Sequence, residues 1–327
     1  MKKIVLGLIV VFGLIAVITL PTTRSETFIL IVRDQNGVPV ENAKVVVKQL
    51  AKIQPLDFWA ELNYDTHTAR TDKNGRAVVN FKVNHKRFDW TVEADGYYST
   101  PNEKHEAFKI DENEEDDSIT LLEHEITRET TLYKKINPQP MVGYAAISGI
   151  NLPSPSGRFG FDLELQDWIA PYGKGKTVDF YVVMNVTTNG DEVVYEGGFE
   201  FENGAGVYRA KQTGSDAFPS TYHADMKANY QTSISFMRKY RIHGKNKEVL
   251  ITYPVATDGE YLVMRTRVKC DDQGNRVSAN YSKMIGKVFV GRDWVFKEAV
   301  FNPRPNDCNL EFDGERNLGS FRGVLAP

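Results

Sequence analysis

Asp167-Trp168 and Tyr172 flank a loop rich in Pro and Gly that also holds Lys174 and Lys176. Indole and phenol rings offer flat faces and lysines offer donors, a combination that suits a sugar at a partly wet site. These five residues form the candidate ligand-binding set. The competing reading makes Trp168 the residue that closes one end of a sandwich, since Trp is highly buried on average. The same stretch, Ala170-Pro-Tyr-Gly-Lys-Gly-Lys-Thr177, satisfies the loose pattern of a phosphate loop. That chemistry needs a helix after the loop, so that its N-terminus faces the phosphates. Val178 to Val186 is instead rich in β-branched and aromatic residues and predicts a strand. A Gly-rich hairpin is the better reading.

Other reactive side chains are present without the spacing that chemistry requires. Histidines stand at 67, 85, 105, 124, 223 and 243, and none sits in H-E-x-x-H. His223 and Asp225 would offer two ligands from a strand, but a polar surface pair is the plainer reading. No serine lies in G-x-S-x-G, so a nucleophile elbow is absent. Asp111-Glu-Asn-Glu-Glu-Asp-Asp117 places six carboxylates in seven residues. A Ca²⁺ loop needs spaced ligands and a sharp Gly turn, so this run reads as a solvated surface loop. Neither a catalytic set, a metal site nor a cofactor is expected.

The elements that hold these residues follow from composition and pattern. A chain of 327 residues predicts two domains at about 100–200 residues each. Hydrophobic residues make up 41% and charged ones 25%, which excludes a disordered or collagen-like chain. A net charge of −3 argues against a nucleic-acid partner. Two cysteines are too few for a disulfide framework or a four-thiolate zinc site.

Lys2 and Lys3 precede an uncharged apolar run from Ile4 to Leu20, and Pro21 breaks it. Its 17 residues lie between a signal-peptide core of about 7–15 and a spanning helix of about 20. Residues 1–25 are thus a signal peptide or an N-terminal anchor, and residues 4–20 are the only contact expected with a membrane. Either way the remainder is exported, to the periplasm, the cell surface or the medium. It would carry 37 bases against 43 acids. Outside the cytoplasm Cys270 and Cys308 are expected to pair. The bridge would close a loop of 39 residues, worth about 4 kcal/mol on loop-entropy grounds. Two separate thiols are the alternative.

From Thr27 the pattern is one of short strands between tight turns, notably Asp34-Gln-Asn-Gly37 and Asp72-Lys-Asn-Gly75. This predicts a β-sandwich. The phrases Val32-Arg-Asp-Gln-Asn-Gly-Val-Pro-Val-Glu-Asn-Ala-Lys-Val-Val-Val47, Thr71-Asp-Lys-Asn-Gly75 and Val92-Glu-Ala-Asp-Gly-Tyr97 resemble the carboxypeptidase regulatory-like domain. The resemblance covers residues 27–135 and implies a transthyretin-like seven-stranded sandwich, an accessory module without catalytic residues. Gln49–Arg70, which contains Trp59 and Tyr64, departs from it as a longer insert.

Lys134 to Pro140 marks a boundary, because two prolines disfavour both helix and central strand. Domains are therefore expected at 26–135 and 136–327. The second shows recurrent apolar alternation and predicts a larger β-sandwich or jelly roll. Its best short helix candidates are Tyr222–Asn229 and Ser233–Tyr240. Phe161 to Lys176 and Asn309 to Asp313 are similar to uncharacterised exported bacterial proteins, which implies no activity. The all-β reading leads to an exported, non-enzymatic binding or envelope protein that recognises polysaccharide or a surface protein. A secreted hydrolase with an accessory module is the alternative.

Overall fold

The computed structural model describes residues 24–50, 64–83, 87–100, 103–106, 108–110, 119–121, 125–145, 150–211, 222–243, 246–253, 256, 259–285 and 298–319. Residues 4–20 and the acidic run at 111–117 lie outside them. No helix among the described residues is long and apolar enough to cross a membrane. The chain divides into two compact units, Met1–Lys135 and Ile136–Pro327.

The first unit contains β1 (Arg24–Asp34), β2 (Lys44–Leu50), β3 (Tyr64–Arg70), β4 (Arg76–Val83) and β5 (Arg87–Glu93). It continues through β6 (Glu103–Glu106), β7 (Phe108–Ile110), β8 (Ile119–Leu121) and β9 (Glu125–Leu132). Sheets ordered β4-β1-β9 and β3-β2-β5-β6 enclose one core, and β7 and β8 form a separate pair. Alternation sets the core: Phe28, Leu30 and Val32 of β1 meet Val45, Val47, Phe88 and Trp90 of the other sheet. The insert at Gln49–Arg70 is partly a core-sheet strand, since β3 pairs with β2 along its length. Trp59 lies outside the described residues.

Both turns form as their sequences predict. Asp34 Oδ1 accepts the amides of Asn36 (2.8 Å) and Val38 (2.9 Å), and Gly37 takes φ of +79°. Asp72 Oδ1 likewise accepts the amides of Asn74 and Arg76. A third copy, Asp271-Asp-Gln-Gly274, is built identically, with Asp271 Oδ1 on the amides of Gln273 and Asn275. The short acceptor side chain holds the turn while Gly accepts the left-handed conformation at no steric cost.

The second unit contains β10 (Val142–Ala145), β11 (Gly157–Asp162), β12 (Asp167–Trp168), β13 (Phe180–Asn189), β14 (Glu192–Glu200) and β15 (Gly206–Lys211). β16 (Ser233–His243), β17 (Asn246–Tyr253), β18 (Glu260–Cys270), β19 (Arg276–Ile285) and β20 (Glu298–Asn302) follow. A six-stranded sheet, β12-β11-β13-β14-β16-β17, packs on a five-stranded one, β10-β20-β19-β18-β15. The helix expected at Ser233–Tyr240 is instead central strand β16. Its residues Ile234 and Phe236 alternate into the core, and pairing with β14 and β17 overrides local helix propensity. Tyr222–Asn229 is turns and bridges rather than helix.

The five-stranded sheet is buried on both faces. Leu262, Met264, Met284 and Phe301 face the six-stranded sheet. On the other face, Tyr261, Val263 and Tyr281 are covered by Ala224, Tyr230 and Leu310. Met141 and Phe312 cover Val300 beside them.

Candidate functional site

The loop after β12 is organised by two carboxylates. Asp167 Oδ1 accepts the Trp168 amide and Oδ2 the Lys174 amide, both at 2.8 Å. Asp162, 1% exposed, accepts the amides of Glu164 and Leu165 on one oxygen and those of Lys176 and Thr177 on the other. Burial pushes the Asp162 carboxyl up, but the amides of Lys176, Thr177 and Leu165 and the Arg267 charge outweigh it and hold Asp162 below the usual carboxylate range. The chain passes so close that a Cβ on Gly173 would lie 2.3 Å from Asp167 Oδ1. Any residue but Gly would force the loop open there. The Ala170–Pro171 bond is cis.

Arg267 ties this loop to the opposite sheet. It sits at a bulge in β18 with φ of +50°, and its guanidinium bonds Asp162 (2.9 Å), Asp179 (2.9 and 3.0 Å) and Glu164. The guanidinium also lies 4.7 Å from the Phe301 ring centre. Burial works against its charge, but Asp179, Glu164 and Asp162 outweigh burial and raise its pKa. Burial raises the Asp179 carboxyl, against the pull of Arg267 and the Leu163 amide. Where three acids converge, a guanidinium takes the place a cation would hold. Among the described residues no group of three His, Cys, Asp or Glu is arranged to bind a metal.

Beside Arg267 opens a cleft of about 420 Å³, lined by Lys176, Thr177, Tyr181, Glu202 and Asn203 among others. Arg158 lies 3.3 Å from the Tyr181 ring centre and bonds Glu200 (2.9 Å) and Glu202 (2.6 Å). The cleft therefore offers an aromatic ring, an amide, a hydroxyl, an ammonium and a carboxylate.

The structure separates the candidate residues into two groups. Trp168 is 7% exposed, packs edge-on against Phe159 and Phe161, and donates its indole N–H to Asn151 O at 3.0 Å. Of the two readings of Trp168, this burial fits the one that closes an end of the sandwich: the alternation of β11 and β12 turns the ring into the core. Asp167 is consumed in shaping the loop. Tyr172 is 52% exposed, with one edge against Phe159, and Lys174 and Lys176 are exposed, Lys176 at the cleft. Asp162, Asp179 and Arg267 were not found from sequence. Arg267 lies 88 and 105 residues from its two buried partners, and no local spacing connects them.

The expected Cys270–Cys308 disulfide is not shown, and the structure has the alternative arrangement. Cys270 and Cys308 are separate thiols. Cys270 is exposed at the end of β18, whereas Cys308 packs beside Leu310 on the covered face of the sheet. Asp225 Oδ1 accepts the Lys227 amide, which holds a turn, and His223 bridges to Asn309.

No protein-family model matches the chain, and no curated protein matches it. The resemblance at 27–135 therefore rests on its sequence phrases. Among solved structures, wild-type catechol 1,2-dioxygenase of Acinetobacter radioresistens is 18% identical with a TM-score of 0.25, over 36% of this chain. This chain covers 54% of that enzyme, little more than half its length. The shaft pilin SpaA of Lactobacillus rhamnosus GG is 9% identical with a TM-score of 0.23, covering 88% of this chain and 94% of the pilin. A DUF3823 family protein of Bacteroides ovatus is 7% identical with a TM-score of 0.17, over 83% of this chain and 100% of that one. Likenesses this slight assign neither a family nor an activity to the chain.

Proposed function

We propose that this is an exported, non-catalytic binding and cell-envelope protein that takes a polysaccharide at the rim formed by Tyr172, Lys174 and Lys176. The observation that supports this reading is the pinned loop. Asp162 and Asp167 fix its backbone and Arg267 fastens it to the second sheet, so the exposed side chains are presented from a rigid base. Preorganised donors beside an aromatic ring suit a sugar, because little ordering entropy is lost on binding. The carboxylates nearest the loop are engaged in holding backbone amides or Arg267, which gives them structural work rather than proton transfer.

A glycan array probed with the full chain tests the reading. Binding to a polysaccharide class should be lost in Tyr172→Ala and Lys176→Ala, with the melting temperature unchanged because both side chains are exposed. Failure to bind any glycan overturns it, and release of shortened saccharide would turn it into the hydrolase reading.

A further inference from the structure

Among the described residues, each unit places an early and a late segment side by side and parallel. In the first unit β1 and β9 pair over eight positions, from Thr27 opposite Glu125 to Asp34 opposite Leu132. In the second unit the leading segment 136–143 runs parallel to the trailing segment 309–319. Gln139 bridges to Phe312, its amide donates to Glu311 O (2.8 Å), and its carbonyl accepts the Asp313 amide (2.9 Å). Leu318 N donates to Met141 O at 2.9 Å. Side chains complete this clasp. Glu311 accepts the amides of Ile136 (2.8 Å) and Asn137 (2.6 Å), and Asn317 accepts that of Gly143 (2.9 Å).

We propose that the chain is built to carry tension along its length, each unit resisting it through the parallel contact between its early and late segments. In a parallel pair, the start of one strand and the end of the other lie at opposite ends of the ladder. Pulling the chain across a unit therefore drives the two strands past each other. All the bonds between them are strained together and must fail together. A pair pulled from one end instead peels, one bond at a time. The bonds in question are ordinary ones, each of modest net worth, so the resistance comes from geometry and not from bond strength. Glu311 adds a charge to the second clasp, over Lys283, which is fully buried beneath it and attracted to it.

This inference extends the structural half of the proposed function, but its test involves no ligand, so the two can fail separately. The full chain, with handles at its two ends, is stretched in an optical trap. The two unfolding events are told apart by the length each releases, at roughly 3.3–3.6 Å per residue. A second version carries handles at Thr27→Cys and Glu125→Cys, with Cys270 and Cys308 replaced by Ser, which peels β1 from β9. End-to-end pulling should require a several-fold higher force for the first unit than peeling does, since forced unfolding reports the barrier and not the equilibrium stability. Glu311→Gln should lower the force of the second unit's event alone. If that variant does not fold, Asn317→Ala, which removes the side-chain bonds to Gly143 and Gly319, replaces it. Equal forces in the two pulling directions would overturn the proposal, as would end-to-end unfolding in small successive steps.

Discussion

The two units close the same way with different materials. In the first, β1 and β9 meet through main chain along eight positions. In the second, much of the contact between 136–143 and 309–319 comes from side chains, with Glu311, Asn309 and Asn317 bonding the leading backbone. Main-chain pairing uses groups that every residue but Pro supplies, so no single side chain decides it. A side-chain clasp concentrates the same task in a few positions. The second unit should therefore be the more vulnerable to substitution and to pH.

Glu311→Ala is the strongest test of that contrast. It strips the acceptor from two amides and removes the charge facing buried Lys283. Breaking a buried pair by removing one partner costs about 3–5 kcal/mol, measured at about pH 6 where the amine carries its proton. Scanning calorimetry of the full chain should show the second unit's transition fall while the first unit's stays in place. If both fall together, the units are not independent.

A pH titration sharpens the comparison with a smaller effect. Burial pulls Lys283 down to about 7 from an ordinary 10.5, with the Glu311 charge opposing. Between those values the unfolded chain binds a proton that the folded chain does not. Stability of the second unit should then fall as pH drops from about 10 to about 7, and level off below 7, where folded and unfolded chains both hold the proton. Lys283→Met should flatten this profile in chemical denaturation, and a profile unchanged by the substitution would assign the dependence elsewhere.

The smallest effect is expected in the first unit. Arg33 and Glu129 form an ion pair at 2.7 Å across the β1–β9 ladder, with both side chains substantially exposed. Arg33→Ala should cost about 0–1 kcal/mol in urea unfolding, because solvent screens exposed pairs. A loss as large as that of Glu311→Ala would mean that the first clasp also hangs on side chains.

Much of the fold is legible residue by residue. Asp72 and Gly75 dictate their turn because its bonds lie within five residues, and Phe28, Leu30 and Val32 declare a buried face by period two. The loop at 167–176 is legible in part: Asp167 reaches only to Lys174, but Asp162 holds the loop's far end from 14 residues away. Ser233–Tyr240 misleads because its alternation is weak against polar residues, and only its neighbours β14 and β17 make it a strand. Trp168 cannot be placed from its own loop, because the rings that enclose it come from β11.

The sequence by itself determines that this chain is all β, where its tight turns fall and which residues alternate inward, since those properties depend on neighbours a few positions away. The tertiary structure alone decides that Trp168 packs instead of stacking, that Arg267 gathers Asp162 and Asp179, and that Lys283 has no access to water. Lys283 sits on a sheet face that would be wet in an ordinary sandwich. It is dry here because residues 309–319 return across it to meet 136–143, and such a closure between segments some 170 residues apart leaves no trace in the local pattern of either.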